Sequence, residues 1–127
     1  MTPETWDYLR RARIEIDEAE KTASVGLGKA AARAAYYAMF NVAEALIFDR
    51  NGKIAKTHAG VRNEFARLTM NASPPIRRLA RVLNAAYGFK ELGDYGTVDQ
   101  KNISVEKASE LIFEAKEFVR LIEELLA

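Results

Sequence analysis

From Ala30 to Phe48 the chain is almost continuously apolar, and this stretch restricts the fold more than any other. Arg33, Asn41 and Glu44 interrupt it with helical regularity. At about 100° per residue, Arg33, Tyr37, Asn41 and Glu44 share one narrow sector of a helix, while Ala31, Ala35, Ala38, Val42 and Ala45 form an apolar stripe elsewhere. A helix that is apolar on most sides is buried in a bundle or a membrane. An arginine, an asparagine and a glutamate inside one span argue against the membrane. The stretch therefore reads as the central helix of a soluble bundle, with alanines that let neighbouring backbones approach and with Tyr36, Tyr37, Phe40 and Phe48 supplying buried area.

The remaining segments supply helices to pack against it. Thr2 or Thr5 can cap a first helix running to about Ser24, with Leu9, Ala12, Ile16, Ala19 and Ala23 inward. Gly26 and Gly28 break that pattern, and Asn51 and Gly52 suit the left-handed cap that ends the central helix. Lys53 to Lys56 reads as a loop. Thr57 is the N-cap of a third helix to about Met70 with Val61, Phe65 and Leu68 inward. Ser73, Pro74 and Pro75 signal the start of a fourth helix, whose apolar face holds Ile76, Leu79, Leu83 and Ala86 and whose other side carries Arg77, Arg78 and Arg81. Asp94 to Asn102 is expected to be a loop after glycines at 88 and 93. Ser104 caps a last helix in which Ala108, Leu111, Ala115, Phe118, Ile122 and Leu125 recur at steps of three and four. The architecture expected is an all-α, up-and-down bundle of four long helices plus a short fifth one.

With 127 residues the chain is expected to form one domain, residues 1–127, large enough to bury roughly 65% of the surface its unfolded form exposes. It has no cysteine, which removes a disulfide framework, a thiol nucleophile and cysteine-based metal sites. No secretory signal or spanning segment is read, so a soluble, cytoplasmic protein without cofactor or metal is expected. The net charge of +1 hides an uneven distribution. Residues 1–27 hold four Lys or Arg against six Asp or Glu, residues 28–103 twelve against six, and residues 104–127 three against six. A basic middle between acidic ends is either an anion-binding surface or a set of charges neutralised between packed helices.

Self-contained catalytic motifs are absent: there is no Gly-rich phosphate loop, no helical pair of histidines and no G-x-S-x-G elbow. The single histidine, His58, follows the Thr57 cap and reads as a helix-start residue or a ligand contact. Arg33, Tyr37, Asn41 and Glu44 read as a buried network that fixes bundle register, or as a seam facing a cleft in which the Arg33 fork meets a phosphate. Arg77, Arg78 and Arg81 form a positive stripe that either faces solvent or holds a nucleic-acid backbone. Tyr87, Phe89 and Tyr95 nearby are core residues or base-stacking surfaces.

Three segments taken together resemble the HEPN domain family in its small stand-alone prokaryotic branch. They are Ala32-Arg33-Ala34-Ala35-Tyr36-Tyr37-Ala38-Met39-Phe40-Asn41, then Lys56-Thr57-His58-Ala59-Gly60-Val61, then Gly93-Asp94-Tyr95, in that order. The resemblance covers roughly residues 5 to 125. It implies a four- or five-helix bundle, a homodimer, and association with a minimal nucleotidyltransferase as a toxin–antitoxin pair. Many family members are metal-independent ribonucleases with an R-x(4–6)-H motif, and this chain lacks it: positions 51, 52 and 53, where the arginine belongs relative to His58, are Asn51, Gly52 and Lys53. Where the branch shows R-x-x-A-D-Y, the chain has Lys90 at the arginine position and Gly93 as the small residue, keeping Asp94 and Tyr95. Asn41 stands where relatives often carry histidine.

Two functions follow as expectations. In the first, the protein is a nucleic-acid or nucleotide-associated binding module in which Arg33 and Lys90 hold phosphate, Tyr37 and Asn41 orient the ligand, Asp94 positions Lys90 or Arg33, Tyr95 is a further ligand-binding residue of the cleft, and His58 lies at its edge. In the second it is a ribonuclease toxin with a non-standard site, where Lys90 stabilises charge and Asp94 or His58 acts as acid or base. A scaffold that completes a partner's core is a third.

Overall fold

The computed structural model describes all residues 1–127 and contains six helical segments and no strand. They are α1 (Pro3–Ser24), α2 (Gly28–Asn51), α3 (His58–Thr69), α4 (Pro74–Arg77), α5 (Leu79–Tyr95) and α6 (Val105–Leu126). Four long helices and the shorter α3 are the bundle that the periodicity predicts, with α4 as a single added turn.

Capping chemistry sets the starts of the helices. Thr2, Thr57 and Ser104 each accept, on the side-chain oxygen, the backbone N–H three residues on, at 3.2, 2.9 and 3.0 Å. Each bond satisfies one of the donors that the first turn leaves free. At the end of α2, Gly52 takes φ 72°, the left-handed geometry that costs glycine nothing, and returns its N–H to the Phe48 carbonyl.

One expected helix is divided. The Pro74-Pro75 start holds, but Arg78 interrupts the helix after a single turn, and the Arg78 carbonyl accepts both the Arg81 and the Val82 N–H. That change to a three-residue spacing tightens the chain before α5 resumes. At its other end α5 extends further than expected and takes in Asp94 and Tyr95. The helix runs through Gly93, which is buried because the Lys29 stem closes over it, and ends at Gly96.

Helix α2 lies at the centre, packed against α1, α3, α5 and α6. Tyr8 of α1 meets Phe48 near the end of α2, and Ile14 and Glu18 border a hollow with Arg33 and Ala34, so the two helices are antiparallel. Arg13 with Glu123 and Lys116 with Glu20 set α6 antiparallel to α1. The two N-terminal ends of α2 and α6 meet at Gly28, where a Cβ would lie 2.0 Å from the Ile103 carbonyl oxygen. The core that results runs through Leu9, Met39, Val42, Leu46, Leu83 and Ile122, with Phe65 of α3 stacked on Phe118 of α6 at 5.2 Å. No helix is long and apolar enough to cross a membrane.

Candidate functional site

The antiparallel run of α2 past α5 brings together residues far apart in the sequence. Arg33 and Tyr37, one turn apart on α2, face Lys90 and Asp94, one turn apart on α5. Lys90 Nζ lies 3.0 Å from one Asp94 oxygen, and Arg33 Nε lies 3.6 Å from the other. The Lys90 side chain is only 10% exposed, while that of Arg33 is 52% exposed and crosses the Tyr37 ring at 4.9 Å. Two cations thus share one carboxylate within ion-pair distance, while Glu15 of α1 lies near enough to feel the Arg33 charge. The hydrogen bond from Lys90 to Asp94 raises the ammonium above its ordinary pKa and secures its charge. Tyr95, 79% exposed, has the same ammonium 5.8 Å from its ring centre.

Next to this pair is an aromatic box around His58, the first residue of α3. Its ring lies 4.7 Å from Phe40, 5.8 Å from Tyr36, 5.9 Å from Tyr37 and 5.8 Å from Tyr87, centre to centre. Tyr36 is fully buried, and its hydroxyl is 2.6 Å from His58 Nδ1. Burial raises the phenol above its ordinary pKa, so it keeps its proton, and His58 is the one acceptor within its reach. Tyr36 therefore donates to Nδ1, and the imidazole proton resides on Nε2. Burial, reinforced by the Lys90 and Arg62 charges, holds His58 below its ordinary pKa and keeps it neutral. In this tautomer Nε2 is a donor and has no lone pair with which to take a proton.

Arg62 and Glu91 complete the surroundings and were not among the residues the sequence singled out. The Arg62 guanidinium lies 4.0 Å over the Tyr87 ring and donates from Nη1 to Asn84 Oδ1 at 3.2 Å. The Tyr87 hydroxyl donates to Glu91 Oε1. Arg62 Nε and Glu91 Oε2 are buried without partners, so this corner has a donor and an acceptor to spare. A signal for Arg62 did exist, since it stands four residues after His58 and shares its helix face.

The other candidates lie elsewhere. Asn41 does not join the Lys90–Asp94 pair; its amide donates to Glu44 Oε1 at 3.0 Å on its own helix. Glu44 is buried, which raises its carboxyl above the ordinary range against the opposing pull of Asn41 and of Arg11 from α1. The polar sector of α2 is therefore divided, with Arg33 and Tyr37 meeting α5 while Glu44 feels the charges of α1. Arg77, Arg78 and Arg81 line a separate open groove between the start of α5 and α6, across from Glu110, Glu114 and Glu117.

A bundle centred on an Arg-x-x-Tyr-Tyr helix, with an Asp-Tyr pair closing the facing helix and a histidine between them, defines a class. The model of that class, described as the HEPN domain, matches residues 5–125, and the chain belongs to the HEPN domain family. Among curated relatives it is 31% identical to UPF0332 protein glr0978 of Gloeobacter violaceus over 127 residues, covering 100% of this chain and 99% of the relative. It is 32% identical over 121 residues to a Methanocaldococcus jannaschii protein named "Putative toxin MJ0605", with 91% and 87% covered. An Archaeoglobus fulgidus UPF0332 protein is 29% identical over 119 residues, with 88% and 86% covered.

Proposed function

We propose that Arg33 and Lys90, gathered around Asp94, bind the phosphate of an RNA or nucleotide, and that the chain is the HEPN component of a toxin–antitoxin pair with a minimal nucleotidyltransferase. The observation that carries this reading is the sharing of one carboxylate by two cations. Lys90 is fixed by its buried stem, whereas Arg33 is half exposed and presents a planar fork of donors suited to phosphate oxygens. Tyr95, exposed beside Lys90, offers a face on which a base can stack. Membership of the HEPN family and a relative named as a putative toxin support the toxin-related part.

Binding of a fluorescent single-stranded RNA, measured against salt, tests the site. For single strands the logarithmic salt slope is about −0.7 per phosphate neutralised, so Arg33→Ala should weaken binding and make the slope shallower by about 0.7. Unchanged affinity and slope in a folded Arg33→Ala protein would remove Arg33 from the site.

The second reading, a metal-independent ribonuclease with a non-standard site, is favoured by the packing of His58 on Tyr37 beside the Lys90 charge. Incubation with RNA in chelator separates the two. Cleavage that is lost in Lys90→Ala supports the enzyme, and intact RNA supports the binding module.

A further inference from the structure

Helices α5 and α6 both pack on α2 but hardly on each other, and an open groove of about 1280 Å³ lies between α6 and the wall formed by α4 and the start of α5. Small-molecule sites occupy about 300–1,000 Å³ and enclose most of their ligand, so a groove of this size and openness suits a macromolecule. Its α6 wall runs from Glu110 to Leu121, about 17 Å at 1.5 Å per residue, the length of three helical turns. Leu79, Val82 and Leu121 line the floor. Phe113 borders it at 67% exposure, although the core stripe of α6 is already filled by Leu111, Ala115 and Phe118. A large apolar side chain left in water beside an apolar floor marks a contact surface.

The charges select the occupant. Arg77, Arg78 and Arg81 are exposed on the first wall, and none lies within ion-pair distance of a carboxylate of the chain. The glutamates opposite are answered within α6 itself: Glu110 pairs with Lys107, and Glu117 shares Arg120 with Glu124, which leaves Glu114 unpaired. The unanswered positive charge therefore sits on the α4–α5 wall alone. A nucleic-acid strand drawn to it would run its phosphates beside the glutamates and leave the apolar floor wet, and a second copy would bring its own excess of unanswered arginines. An amphipathic helix meets all three features at once. Its apolar stripe covers the floor, an acidic flank faces the arginines, and its other flank lies along α6, as in helix-in-groove recognition. We propose that this groove receives an amphipathic helix of a different protein, about three turns long, which packs apolar side chains beside Phe113 and sets carboxylates against Arg77, Arg78 and Arg81.

Panning the full chain against a phage library of helical peptides of about 14 residues, roughly four turns, tests it. Enriched sequences should carry apolar residues at helical spacing and an excess of Asp and Glu along one flank. A synthetic copy of the most enriched peptide should bind the native chain in fluorescence anisotropy, and less tightly as salt is raised. It should bind the R77E, R78E and R81E triple variant about tenfold more weakly or worse, because like charges then face each other. Phe113→Ser, a change at an exposed position that leaves the arginines intact, should weaken the peptide as well, and it serves if circular dichroism shows that the triple variant does not fold. Arg33→Ala should bind the peptide as the native chain does, so failure here is distinguishable from failure of the anion site. No enrichment over an unrelated helical bundle panned in parallel, enriched sequences that are basic, or peptide affinity unchanged in the variants would each overturn the assignment. So would a fall in mass by light scattering in the triple variant, which would seat a second copy in the groove, or loss of its single-stranded RNA binding, which would seat RNA there.

Discussion

Replacing Asp94 should move stability and ligand affinity in opposite directions. The carboxylate holds the Lys90 ammonium at 3.0 Å in a place where the lysine side chain is 10% exposed. A hydrogen bond between charged groups contributes about 2 kcal/mol, so Asp94→Ala should cost about that much. In a chain of this length the loss corresponds to a fall in melting temperature of about 8 °C. Asp94→Asn keeps an acceptor for Lys90 but removes the charge, and should cost roughly half as much. Binding should respond the other way. The same carboxylate repels any phosphate approaching Arg33 and Lys90, a repulsion worth a few kcal/mol before screening. With about 1.4 kcal/mol surviving in salt, both variants should bind single-stranded RNA roughly tenfold more tightly. Losing the positioning of the cations opposes this gain, yet the buried stem of Lys90 retains its place by packing. Thermal denaturation and fluorescence anisotropy, run on the same preparations, measure both quantities. Binding unchanged in both variants would refute the assignment of the phosphate to this pair, because repulsion and positioning both act through this carboxylate, and an unchanged melting temperature would refute the energetic role of the Lys90–Asp94 contact.

Three further outcomes concern other parts of the bundle. Gly28→Ala places a methyl group 2.0 Å from the Ile103 carbonyl oxygen, and the forced separation of α2 from the start of α6 should cost about 1–3 kcal/mol in urea denaturation; equal stability would show that the two segments part freely. Glu44→Gln keeps the acceptor for Asn41 and removes a buried charge. Since the folded carboxyl titrates above its ordinary 4.5, its unfavourable contribution is absent at low pH and grows as pH rises through the folded value, so the variant should be more stable than the native chain at neutral pH and converge with it in acid. His58 shows the mirrored dependence. Its folded pKa lies below the ordinary 6.5, because of burial and then of the Lys90 and Arg62 charges, with Glu91 opposing and Arg33 adding. Stability from this residue is therefore complete above 6.5 and declines as pH falls toward the folded value, while nitrogen chemical shifts at neutral pH should report a proton on Nε2.

Much of the bundle was legible because its signals are local. Thr57, Ser104 and Gly52 announce helix ends by chemistry that acts within one turn, and the stripe from Leu9 to Ala19 or from Ala108 to Ile122 identifies a buried face without reference to its partner. Glycine was misleading at 93, where the lack of a side chain serves the closure of Lys29 rather than the end of a helix. The site was legible in part. Arg33, Tyr37, Lys90 and Asp94 do converge, whereas Asn41, within the same sector as Tyr37, turns to Glu44. A sector about 80° wide can touch two neighbours, and which neighbour each residue meets depends on how α1 and α5 flank α2, a quantity that periodicity does not contain. The bond from Tyr36 to His58 was hidden for the same reason: it joins an apparent core residue of α2 to the first residue of α3.

The crossing at Gly28 also bears on how this chain can change over time. Any single-base change that replaces a glycine introduces either a side chain with at least a Cβ or a stop, so no single substitution at this position preserves the 2.0 Å approach to Ile103. Drift at position 28 is closed unless the segment around Ile103 and Ser104 has first shifted outward. The two stretches are bound into one heritable unit, and the route to a different junction passes through the linker before it reaches the helix.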